Sequence, residues 1–211
     1  LVGRQDAQAT LEQLEQANLF IVPLDDERRW YRYHHLFADL LRQRLRQTLP
    51  ERVSACHTRA SEWYEQNGFV DEAIEHALHA EDFERAADLV EGRAETLWGR
   101  GELVRLLGWL EALPSEQVYS RPLLCVFHAW GLFASGQQRA AEQSLQAAEQ
   151  ALDRTAGRET DAAPAKRVHM PVSDMTKIQG RAAAVRAFMA SFRGDVSEII
   201  QYSRKALERL P

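Results

Sequence analysis

Apolar positions return with helical spacing over most of the chain, with one early exception. In residues 8–17 (QATLEQLEQA), Leu11 and Leu14 fall on one face of a short helix that Asn18 can end. Leu19-Phe20-Ile21-Val22-Pro23 is then a short β-prone run, and Asp25-Asp26-Glu27 reads as a turn. Trp30-Tyr31-Arg32-Tyr33-His34 alternates large and polar side chains, as a strand does. Helical spacing resumes with Leu36, Phe37, Leu40, Leu41 and Leu45, and Pro50 suits the first turn of the next helix. Helix, hairpin, helix is the tail of a winged-helix domain, expected over residues 1–49.

Beyond residue 50 the pattern repeats. Gly68, Gly101 and Gly136 lie 33 and 35 residues apart, and Gly194 comes 58 residues later. Each glycine closes an amphipathic helix, a place where left-handed backbone is needed. An alanine-rich helix comes next: Ala73, Ile74, Ala77 and Ala80; then Ala141, Leu145 and Ala148; then Ile199 and Ala206. Large residues on the first helix of each pair are expected to fill the gap, namely Trp63, Tyr64, Trp98, Phe127, Trp130, Phe188 and Phe192. The unit around Gly101 departs from this, with Leu106, Leu110 and Leu113 where small residues are expected. A period near 34 residues is that of the tetratricopeptide repeat. The expected fold is all-α: a tetratricopeptide-like, right-handed solenoid of helical hairpins over 50–153 and 177–211, behind a small winged-helix remnant. The long last interval implies an insertion. Residues 154–176 (RTAGRETDAAPAKRVHMPVSDMT) lack helical periodicity and are expected to be a flexible loop.

Composition narrows the function classes. Hydrophobic residues make up 45 % of the 211, enough for a real core. The formal net charge is −5, which weighs against a nucleic-acid reader with a basic face. No apolar run is long enough to span a membrane. Cys56 and Cys125 are isolated, as expected of reduced thiols in a cytoplasmic protein. The start at Leu1 and the stop at Pro211 after a helical run suggest a piece of something larger.

Longer stretches resemble a known family. LEQLEQANLFIVPLDDERRWYRYHHLFADLLRQRL (11–45) resembles the segment that ends the ATPase module of the large LuxR-type, maltose-regulator-like transcriptional regulators. RASEWYEQNGFVDEAIEHALHAEDFERAADLVE, RGELVRLLGWLEALP and RPLLCVFHAWGLFASGQ are similar to the next region of those regulators. The resemblance implies a nucleotide-switched activator with an ATP/ADP-binding module, this winged-helix joint, a repeat superhelix for sensing, and a separate DNA reader. The chain itself has no G-x-x-x-x-G-K-[ST] loop, so ATP or ADP is expected only in a parent protein, and DNA contact only through a domain not present here. The resemblance also implies a role for His34: Tyr33-His34-His35-Leu36 is similar to a Met-His-Asp motif whose histidine touches the β-phosphate of ADP.

Few residues suggest chemistry of their own. His76 and His79 are three apart on one helix, but a zinc site needs a third ligand. Arg28, Arg29, Arg32, Arg42, Arg44 and Arg46 form the one basic concentration, suited to phosphate or to a solvated face. Ser54, Ser61 and Ser115 lack a nucleophile's setting. Trp98, Phe127 and Trp130, with Trp109 and Tyr119, either line a concave groove or form inter-helix core. Two functions stay open. One is a non-catalytic sensor segment that couples a small-molecule inducer or regulatory protein, held on the repeats, to the nucleotide switch. The other is a scaffold for protein–protein interaction or self-association. No acid–base pair or nucleophile set supports an enzyme.

Overall fold

The computed structural model describes residues 6–158 and 172–210. Among the described residues it is all-α apart from one two-stranded sheet, and the chain divides into two compact units, residues 1–82 and 83–211.

The first unit runs α1 (Ala7–Gln16), β1 (Ile21–Pro23), β2 (Tyr31–Tyr33), α2 (His35–Thr48), α3 (Pro50–Gln66) and α4 (Val70–His79). The strands are antiparallel, with Ile21 opposite Tyr33 and Pro23 opposite Tyr31. Asp25 closes the turn: its carboxylate accepts from the N–H groups of Arg29 (2.9 Å) and Trp30 (3.0 Å). Trp30 sits edge-on to Trp63 and Phe69, 6.0 and 6.1 Å between ring centres, which ties the hairpin to the α3–α4 pair. Between α3 and α4, Ala60, Ala73, Ile74 and Ala77 are buried, and the buried Ser61 hydroxyl donates to the Ala73 carbonyl at 2.8 Å. Small side chains at this contact let the helices approach closely enough for that bond.

The second unit contains α5 (Phe83–Arg100), α6 (Leu103–Ala112), α7 (Ser115–Tyr119), α8 (Pro122–Ala134), α9 (Gln138–Arg158), α10 (Val172–Arg193) and α11 (Val196–Arg209). Helices α5/α6, α8/α9 and α10/α11 pair as hairpins. Cys125, Val126 and Ala129 of α8, Ala141, Leu145 and Ala148 of α9, and Ile178, Ala182, Val185 and Met189 of α10 form one buried cluster. Full burial of a side chain such as Leu145 contributes about 2 kcal/mol. Ser144 repeats the device seen at Ser61, donating to the Cys125 carbonyl at 2.9 Å. Arg186 of α10 clamps α9, bonding Glu142 at 2.9 Å and Glu149 at 2.5 Å.

The glycine-centred turns are present. At Gly136, φ is +81°, its N–H bonds the Phe133 carbonyl and the Gln137 N–H bonds the Leu132 carbonyl. This is a Schellman closure, and a side chain at that φ would be strained. Gly68, Gly101 and Gly194 close their helices in the same way. Glu81 closes α4 with the same two bonds at φ +58°, without being a glycine.

Three expectations change. Helix α9 continues to Arg158 and α10 begins at Val172, so the ends of the expected 154–176 loop are helical; residues 159–171 lie outside the described residues. Phe188 and Phe192 do not fill a core gap: they are 54 % and 73 % exposed, each meeting a ring of the preceding hairpin edge-on. Helix α7 belongs to none of the expected pairs; Val118 anchors it by complete burial. Leu106, Leu110 and Leu113, which break the small-residue pattern, are buried nonetheless.

Candidate functional site: an aromatic groove with a sheltered arginine

The first helices of successive hairpins in the second unit carry aromatic rings at matching positions, and these meet in a ladder. Trp98 of α5 lies 5.4 Å from Phe127 and 5.5 Å from Trp130 of α8, between ring centres. Trp130 meets Phe188 of α10 at 5.0 Å, and Phe133 meets Phe192 at 5.2 Å. Helical spacing explains the set: Phe127, Trp130 and Phe133 stand three residues apart on one face of α8.

Beside the ladder lies a cavity of about 350 Å³ lined by Trp98, Val126, Phe127, Trp130, Arg181, Ala184 and Leu210. The structure therefore brings Trp98, Phe127 and Trp130 into one wall. Trp109 is instead buried in core, and Tyr119 packs near His128 at 6.1 Å; neither lines this cavity. Arg181 was not legible as part of the site. Its guanidinium lies 5.7 Å from the centre of the Phe127 ring, and its Nη2 donates to Glu95 at 2.5 Å across 86 residues of chain. Its Nη1 is buried and has no hydrogen-bond partner among the described residues.

In the first unit, His34 stands at the N-terminal boundary of α2 and is exposed. Its N–H bonds the Phe20 carbonyl at 2.7 Å, its carbonyl accepts from the N–H groups of Phe37 and Ala38, and its ring lies 4.4 Å from that of His35. The hairpin thus fixes its backbone while the imidazole faces outward. The arginine concentration is exposed, with Arg28, Arg29 and Arg42 paired to Glu15, Glu27 and Asp39.

A third histidine joins the pair expected on α4. His57 of α3 approaches His76 with 2.8 Å between their Nδ1 atoms, and stacks on His79 at 5.2 Å. Burial, followed by the neighbouring histidines, lowers the His57 pKa; burial, followed by His79, lowers that of His76. The cluster is not arranged as a metal centre: among the described residues no group of three or more His, Cys, Asp or Glu side chains could hold a metal ion. Ser54 donates to the Ala80 carbonyl at 3.0 Å and Ser61 to Ala73, so both hydroxyls serve helix packing. Ser115 is the exposed first residue of α7. Cys125 is buried, which pushes its thiol pKa up to about 12 and keeps it unreactive at neutral pH. No described helix is long and apolar enough to cross a membrane.

Comparison with known proteins places this architecture. Residues 1–53 match the MalT winged helix domain. The HTH-type transcriptional regulator MalT of Klebsiella pneumoniae is 32 % identical over 211 residues, all of this chain and 21 % of that protein. MalT of Serratia proteamaculans is 37 % identical over 171 residues, 77 % of the chain and 19 % of the relative. The serine/threonine-protein kinase PknK of Mycobacterium tuberculosis is 31 % identical over 209 residues, 99 % of the chain and 18 % of the kinase. No solved structure matches. The chain spans about a fifth of the length of the curated relatives it matches. Over its whole length the chain is thus similar to MalT-like regulators, and its residues 1–53 carry the MalT winged helix domain.

Proposed function

We propose that this chain is a non-catalytic regulatory segment of an ATP-dependent, LuxR-type cytoplasmic regulator. A small-molecule inducer or regulatory protein held on its tetratricopeptide-like helical hairpins is coupled to a nucleotide switch through the winged-helix joint. The observation that carries this reading is the aromatic groove of Trp98, Phe127 and Trp130, a concave apolar cavity on stacked helical hairpins. The comparisons add support of a different kind. The same stretch recurs in proteins named as a transcription regulator and as a protein kinase, at about a fifth of each. A segment shared by two such different outputs is suited to receiving a signal rather than to performing either reaction. His34 would act in the parent protein by donating a hydrogen bond to the β-phosphate of bound ADP, which suits an exposed imidazole held by its backbone. DNA would be met only by a separate domain.

The scaffold reading rests on the exposed apolar residues of α10 and α11, Phe192, Val196, Ile200 and Leu207, a face able to receive a protein or a second copy. Titration with small metabolites, sugars and aromatics, read by melting temperature and tryptophan emission, separates the two. A saturable shift with a small molecule, lost in Trp130→Ala, supports the sensor. Response only to a protein partner or to self-association supports the scaffold. For His34, unchanged ADP retention and basal activity in the His34→Ala variant of the longer regulator would rule out the phosphate contact.

A further inference from the structure

We infer that the aromatic groove takes a small carboxylate with a flat apolar body, with Arg181 as the residue that selects the charge. The inference rests on the sensor reading of that groove and adds the chemical class of its ligand.

Among the described residues, Arg181 is the one charged residue in the lining of the 350 Å³ cavity; the rest is Trp, Phe, Val, Ala and Leu. Such a wall favours a flat apolar group, and a single cation in it sets which polar end is accepted. The guanidinium is held in place from two sides. Glu95 takes Nη2, and the Phe127 ring lies 5.7 Å from the central carbon. That leaves Nη1 buried without a partner among the described residues. A buried donor without an acceptor costs about 1–3 kcal/mol, and a carboxylate oxygen would relieve it through a charge-assisted bond. Arg181 also lines a second cavity of about 580 Å³, together with Glu91, Glu95, Asp174 and Lys177. Glu95 bonds Arg181 from that side, and with Glu91 and Asp174 beside it the second cavity is the more acidic of the two, which favours the aromatic side for a carboxylate. Leu210 lines both cavities. Nη1 is buried as the groove stands, so a ligand oxygen reaches it only when a lining side chain shifts. Gly180 bears on this, since an added Cβ would stand 2.9 Å from Leu210 Cγ and crowd that side chain.

The test uses phenylacetate and 2-phenylethylammonium, probes of similar shape and opposite charge, on the 211-residue chain. Tryptophan emission excited at the red edge and melting temperature are the readouts. Phenylacetate is expected to give a saturable change, with 2-phenylethylammonium at least tenfold weaker. Arg181→Met should bring the two affinities together, while Arg181→Lys retains the preference for the anion. If Arg181→Met does not fold, Glu95→Gln serves instead: it removes the negative charge that neutralises the guanidinium and should tighten phenylacetate binding several-fold. Equal binding of both probes to the wild type overturns the inference, as does anion preference that survives in Arg181→Met. If these probes fail while a neutral ligand binds and Trp130→Ala abolishes it, the carboxylate assignment falls and the sensor reading stands. No response to any small molecule removes both.

Discussion

The Nδ1 atoms of His57 and His76 stand 2.8 Å apart across the α3–α4 hairpin, so the two rings can share one proton but resist carrying two. Both pKa values are lowered in the folded protein, by burial first and by neighbouring histidines second. The unfolded chain therefore binds protons more readily below the ordinary histidine pKa of about 6.5. Stability is full above that pH and declines as pH falls through the lowered folded values. The melting temperature should drop between pH 7 and 5, and His57→Gln should flatten the decline relative to wild type. Parallel curves for the two proteins would contradict the assignment.

Helix ends supply a prediction with two signs. Gly136 and Glu81 adopt the same left-handed closure, but only one has the residue suited to it. Gly136→Ala should cost about 1 kcal/mol, and Glu81→Gly should gain a similar amount. Urea unfolding of both variants checks this; a loss of stability in Glu81→Gly would show that its side chain contributes more than its backbone strain removes.

Arg186 makes the forked contact between α9 and α10, and its own side chain is only 13 % exposed while Glu142 and Glu149 are 37 % and 50 % exposed. Because the acids reach solvent, the loss in Arg186→Met is set at about 1–2 kcal/mol rather than the larger cost of breaking a fully buried pair. Arg186→Lys should not restore it, since an ammonium cannot bond both carboxylates in this geometry. Full recovery by lysine would mean that charge alone is needed.

Gly131 marks a close approach of two helices. A Cβ there would lie 2.1 Å from Leu107 Cδ2, where α8 meets α6. Gly131→Ala should destabilise by about 1–3 kcal/mol, and Leu107→Ala in the same chain should recover part of that loss. Simple additivity of the two changes would contradict the contact.

How much of this was legible depends on the range of each interaction. The hairpin, the glycine-closed helices and the buried alanines of α4 and α9 are local patterns, written in spacings of two to four residues. Asn18 and the four turn glycines announce their backbone; Glu81 does not, because its cap is formed by geometry alone. Trp98, Phe127 and Trp130 could be grouped from repeat positions, whereas Arg181 could not. Its partner Glu95 lies 86 residues away, and no local pattern marks the pairing. His57 was nearer to being readable, since it faces His76 from the other arm of one hairpin, 19 residues apart. Phe188 and Phe192 show the limit of aromatic spacing: it indicates a shared face but not whether anything covers it.

Hydrogen–deuterium exchange across the 211-residue chain, with and without a small molecule that shifts its melting temperature, tests the coupling of groove to winged helix most directly. Slower exchange is expected in α5, α8 and α10 around Trp98, Phe127 and Trp130, together with altered exchange in the β1–β2 hairpin and α2. Protection confined to α11, or a winged-helix region indifferent to ligand, would contradict it.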